Sequence, residues 1–143
     1  MRFMIMVRAT PDTEAGWFPE GEARQQLFQS MADYHEQLAK AGVLLDASGL
    51  QPSSKGWRIR YDGQSAKVID GPFAESKELI AGYTLIEVRS REEAMEWSRR
   101  FPNPMPGRGV CEVEVRQLYD LEDLEEATGP IAAAEQFRNV NIR

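Results

Sequence analysis

A carboxylate at a strand end beside a tight turn can project into a cleft or cap neighbouring amides. Asp70 has that setting. It opens the string Asp70-Gly71-Pro72-Phe73-Ala74-Glu75-Ser76-Lys77-Glu78, in which Gly71 permits a sharp reversal and Pro72 restricts the backbone on either side of itself. Asp70 is therefore the first candidate for acid/base work. Local chemistry alone supports a turn-stabilising acceptor equally well. Glu75 and Lys77 flank it closely enough to rim a pocket, and Tyr83 comes shortly after, so Asp70, Glu75, Lys77 and Tyr83 form the candidate ligand-binding set. For Glu75, Lys77 and Glu78 the bland alternative is a solvated turn of mixed charge.

His35 is the only histidine. It stands at the border of a helical apolar stripe, four residues after Met31 and three before Leu38. It is the second catalytic candidate, but a half-buried structural histidine bonded to backbone or an acid is the favoured reading. One histidine and the lone Cys111 on different elements make no ligand-spaced metal set, and no cofactor motif is visible. Cys111 alternates with Val113 and Val115 and reads as a small buried hydrophobe. Arg58 and Arg60 share a strand face. They can bind an anion, yet cross-strand pairing with Glu112 and Glu114 is favoured. Trp17, Trp57 and Tyr83 can line an apolar cavity or serve as core and interface.

The elements that must position these residues are set by periodicity. Residues 2 to 8 alternate with apolar residues on both faces, Phe3, Ile5 and Val7 against Met4 and Met6, which predicts a central strand. This start is too short in apolar residues for a secretory signal. A loop rich in Pro, Gly and acid spans 10 to 21. Leu27, Met31, Tyr34, Leu38 and Ala41 then give one helical stripe over 22 to 41, with Gly42 as the C-cap. Val43 to Leu45 begin a second strand. Residues 56 to 70 read as a hairpin turning at Asp62-Gly63. Residues 82 to 88 form a strand, and Ser90 with Glu93 makes a capping box for a helix buried through Ala94, Trp97 and Phe101. A last strand covers 110 to 118. The order predicts an α+β, ferredoxin-like split βαβ sheet with both helices on one face.

Composition bounds the rest. The chain has 143 residues, 42% hydrophobic and 28% charged, which suits one globular domain. A single cysteine forbids an internal disulfide and makes a cytoplasmic location the default. No apolar run is long enough to span a membrane. Of the net charge of −6, five units come from Asp120, Glu122, Asp123, Glu125 and Glu126. With no basic stripe to compensate, nucleic-acid binding is disfavoured. The division expected is a domain over 1–118 and an acidic C-terminal extension over 119–143, where Leu121 and Leu124 can dock one short helix and Pro130 can begin another.

The string DGPFAESKE, with GYTLIEV and SREEAMEWSRRFP after it, closely resembles the signature of the YCII-related, DGPF-domain family. The opening strand, KAGVLL and VCEVEVRQL also match that pattern, over about residues 1 to 118. The resemblance implies a dimeric α+β barrel, in which two ferredoxin-like sheets pack face to face, with a cleft near the DGPF turn. It also implies a His-Asp pair: Asp70 matches the aspartate, whereas His35 lies late in its helix and the family histidine near the helix start. The resemblance further implies genes beside those for extracytoplasmic-function sigma factors. The function expected is thus a small-ligand-binding or regulatory accessory homodimer with an unidentified small-molecule ligand. The alternative is a small-molecule enzyme using Asp70 in a dimer cleft.

Overall fold

A computed structural model describes all 143 residues. The chain folds as β1 (Arg2–Arg8), α1 (Pro11–Glu14), α2 (Gly21–Lys40), β2 (Leu44–Gly49), β3 (Trp57–Asp62), β4 (Ser65–Asp70), β5 (Ile80–Glu87), α3 (Arg91–Arg99), β6 (Val113–Gln117), α4 (Leu121–Thr128) and α5 (Ala134–Asn139). Strands β2, β5, β1 and β6 lie in that order in one sheet whose paired strands are all antiparallel, and β3 with β4 forms a separate two-stranded ribbon. Parallel strands β1 and β2 thus flank β5. That is the ferredoxin-like split βαβ arrangement, with the ribbon inserted between β2 and β5.

The alternation in β1 decides the layering. Phe3, Ile5 and Val7 are buried and their neighbours half-buried, so one face of the strand lies under the helices. Tyr34 and Leu38 from α2, Ala94 from α3 and Ile86 from β5 close over Phe3 and Ile5. Fully burying an aliphatic side chain contributes about 1.5–3 kcal/mol, so this small cluster sets which face is inside. On the other face Met4 lies opposite Leu85 and Met6 opposite Tyr83, all half-buried. No helix is long and apolar enough to cross a membrane.

Several local expectations need correction. The 10–21 loop contains the short helix α1, capped reciprocally by Thr10 and Thr13. The hairpin turns one residue later than expected: Asp62 pairs with Ser65, leaving Gly63 and Gln64 as the turn, with Gly63 at φ +60°. A two-residue turn with glycine first suits the twist of a hairpin. Ser90 caps α3 by accepting the Glu93 N–H (3.1 Å), but the Glu93 carboxylate accepts from Arg89 N–H, one residue ahead of the cap. Cys111 precedes β6 and is half-buried, its thiol 3.1 Å from Asn103 Oδ1. Arg58 and Arg60 do not meet Glu112 or Glu114, because the ribbon is not part of the main sheet. Glu114 instead pairs with Arg8 at 2.8 Å.

The acidic segment packs on its own chain. Asp120 caps α4 and pairs with Arg2 at 2.8 Å, while Leu121 and Ala134 are buried. Truncation after Leu118 removes these contacts, at a cost of about 2–3 kcal/mol from the lost apolar burial and the half-buried pair. The melting temperature should fall by roughly 5–10 °C in a scanning calorimeter. An unchanged melt would show the segment to be undocked.

Tyr34 gives a second test of the core. It is buried, donates to the Trp97 carbonyl at 2.8 Å, and its phenol is pushed up to about 12 by burial, with Arg100 pulling the other way. The folded value exceeds that of the unfolded chain, so the associated stability is complete below pH 10 and is lost as pH rises through about 12. In urea titrations the stability of wild type relative to Tyr34→Phe should hold constant to pH 10 and decline from there to pH 12. A flat difference across that window would contradict the assignment.

Candidate functional site

The middle of α2, the neighbouring ends of β5 and β2, and the segments around α1 and after α3 line a cavity of about 670 Å³. Each wall has a local origin. Leu27, Met31 and His35 line it from one stripe of α2; Gly82 and Thr84 line it from the inward face of β5. Trp17 is swung over it by the chain reversal at Gly16 and held by Arg108, which stacks on its ring at 4.5 Å and forks onto Asp12 at 3.1 Å. Phe101 and Met105 close the far side.

Polarity inside is sparse and arranged. His35 Nδ1 lies 2.7 Å from the Met31 carbonyl oxygen, and Nε2 lies 2.8 Å from Thr84 Oγ1. A carbonyl only accepts, so the partners assign the proton to Nδ1. In the neutral ring Nε2 then accepts the Thr84 hydroxyl. Phe101 and Tyr34 meet the imidazole edge-on, with centroids at 6.2 and 5.4 Å. Both ring nitrogens are thus satisfied, in keeping with a structural histidine. Base chemistry at Nε2 requires that the Thr84 hydroxyl first move aside. The wall holds no Asp, Glu, Lys or Arg.

Of the residues singled out from sequence, His35 and Tyr83 line this cavity, as does Trp17; Asp70, Glu75 and Lys77 do not. Tyr83 donates its hydroxyl to Asp46 Oδ2 at 2.8 Å, and that bond, with slight desolvation and the Asp46 charge, holds the phenol above its ordinary value. Asp70 ends β4 opposite Trp57, exposed, and its carboxylate accepts no hydrogen bond from the adjoining turn. Glu75 is exposed. Lys77 borders a separate groove of about 200 Å³ with Arg8 and Glu114, and its carbonyl accepts from the Arg8 guanidinium. Trp57 is 64% exposed on the ribbon. Thr84 was not singled out. Its signal was parity: it shares the inward face of its strand with Gly82 and Ile86.

The DGPF string has a mechanical part to play. Ser53 donates through N–H (3.0 Å) and hydroxyl to the Glu14 carboxylate, and its oxygen accepts the Phe73 N–H at 2.9 Å. Gly71 N–H bonds the Gly56 carbonyl at 3.0 Å. A Cβ at Gly71 would collide with the Ser53 carbonyl, so only glycine allows the approach. Phe73 carries the Arg58 guanidinium 3.8 Å above its ring.

These features define a class: an α+β, ferredoxin-like domain with a small-molecule-sized apolar cavity. The chain belongs to the YCII-related domain family, whose model matches residues 1–119. It is 28% identical over 124 residues to an uncharacterized protein of Rhizobium meliloti (strain 1021), spanning 87% of this chain and 98% of that one. Among solved structures it is similar to 5-chloro-2-hydroxyhydroquinone dehydrochlorinase from Burkholderia phenoliruptrix AC1100, in complex with 2,5-dihydroxybenzoquinone. The TM-score is 0.43 at 13% identity, covering 84% of this chain and 95% of that one.

Ser53→Ala removes the hydroxyl that joins Glu14 to the Phe73 amide and leaves that amide unpaired. The expected loss is about 1–3 kcal/mol in urea unfolding, with faster hydrogen exchange at Phe73. Unchanged exchange there would show that the turn holds without this bond.

Proposed function

We propose that the protein is a small-ligand-binding accessory homodimer that takes a neutral, largely apolar ligand in the cavity beside His35. The observation that carries this is a wall without a charged side chain around a volume of about 670 Å³. Small-molecule sites commonly span about 300–1,000 Å³, apolar with a few placed polar groups. A charged ligand would surrender its hydration there and find no counter-charge. His35 and Thr84, with Gln51 and Ser48 at the rim, are the groups that would orient a polar substituent. Asp70, Glu75 and Lys77 stand outside the cavity and join a site only where a second copy covers them. The homodimer reading is supported by the half-buried Met4, Met6 and Leu85 on the sheet face opposite α2 and α3. A regulatory setting beside extracytoplasmic-function sigma factors rests on the family resemblance.

The cavity is tested with 2-naphthol, a neutral two-ring alcohol, by isothermal calorimetry. It should bind with a dissociation constant of roughly 1–100 µM, and 2-naphthoate, its charged counterpart, about tenfold or more weakly. Met31→Trp, which fills the cavity, should abolish both. No heat with naphthol at millimolar concentration, or equal affinity for the carboxylate, would sink the reading.

A further inference from the structure

The β3–β4 ribbon stands off the body of the protein. Cross-strand pairing puts Trp57, Ile59, Tyr61 and Val68 on one of its faces, where they are 64%, 48%, 75% and 67% exposed. A two-stranded ribbon is marginal in water by itself, and a contiguous apolar face of this kind is rarely left uncovered. Its root is fixed by the Gly71–Gly56 hydrogen bond and by Arg58 on the Phe73 ring, while the remainder reaches outward.

The opposite face of the ribbon is basic. Arg60 lies directly across from Lys67, and neither has an acidic partner. Like charges facing each other across a ladder are unfavourable, so this pair is incomplete as it stands. Helix α4 shows the reverse: Glu122 and Glu126 are exposed and unpaired. The ribbon is inserted next to β2, at one edge of the sheet, and α4 comes after β6, at the other. The two complementary surfaces thus spring from opposite edge strands of the sheet. In a twofold dimer the ribbon of each copy can then face the α4 of the other.

We propose that the β3–β4 ribbon is an arm that clasps a second copy of this chain, its apolar face on the partner's body and its Arg60–Lys67 pair against the partner's acidic helix. This rests on the homodimer reading and names its contact. The arm's four apolar side chains expose on the order of 400 Å². Doubled by symmetry, and matched by the surface they cover, that approaches the ~1,600 Å² of a standard stable interface.

Sedimentation velocity on the full chain tests the arm. Tyr61→Ser with Val68→Ser alters only exposed positions, and circular dichroism checks that the fold survives. The dimer dissociation constant should rise about tenfold or more. A second pair of variants tests the landing place. Arg60→Glu with Lys67→Glu, and Glu122→Lys with Glu126→Lys, should each weaken self-association. Mixed in equal amounts they should form a heterodimer, because every arm then meets an oppositely charged helix. A wild-type chain that is monomeric at roughly 50 µM overturns the homodimer and the arm together. A wild-type dimer unmoved by the serine and charge variants overturns the arm and leaves the homodimer standing. Weakening by the serines without recovery on mixing overturns the contact with α4.

Discussion

The structure depends on the burial of one face of β1. Phe3 and Ile5 must leave water, and a lone strand cannot bury them; Tyr34, Leu38, Ala94 and Ile86 provide the cover. That requirement places both long helices on one side of the sheet. It also forces β5 to lie beside β1 with Gly82, Thr84 and Ile86 turned inward. A polar Thr84 in that row is the consequence that matters for function. At 1% exposure its hydroxyl needs a partner, and His35 on the facing helix is that partner.

The cavity arises where this packing runs out. Towards the N-terminal end of α2 the inward row of β5 shrinks to Gly82, and Leu27 and Met31 face the cavity. Close packing ends at the His35–Thr84 bond. Trp17, Phe101 and Met105 roof the space and do not fill it. The same bond therefore closes the core and floors the cavity. Its disturbance by a ligand would be felt by Tyr34 and Phe101, which pack edge-on against the imidazole.

Much of the scaffold was legible because its periods are unambiguous. The alternation of residues 2 to 8 and the stripe from Leu27 to Ala41 each admit one geometry, and the order of elements then leaves few topologies. The site was less legible, because a cavity is a property of several elements at once. His35 was visible as a residue type, but its bonds to Met31 and Thr84 depend on how α2 sits over β5. Arg58 and Arg60 show the opposite failure. Their spacing fitted pairing with Glu112 and Glu114, but the ribbon leaves the sheet at Gly49 and returns at Ile80, so the expected neighbours never meet.

The DGPF string has a mechanical part in this structure. Gly71 and Phe73 each answer a mechanical demand. Gly71 is required by the nearness of the Ser53 carbonyl, the Phe73 amide by the Ser53 hydroxyl, and the Phe73 ring by Arg58. Through Glu14 the same node reaches α1, and through Pro52 it borders the cavity. A substitution at Gly71 would thus disturb the ribbon's root and the cavity wall together. Asp70, one residue earlier, takes part in none of these bonds. Its carboxylate is left exposed on the ribbon face of Trp57 and Ile59, the face that the proposed arm would lay on a second copy. A charge beside an interface costs little at the rim and much at the centre. Its place at the root of the proposed arm, directly across from Trp57, puts it at the rim of that contact, where it can stay wet while Ile59, Tyr61 and Val68 beyond it are covered.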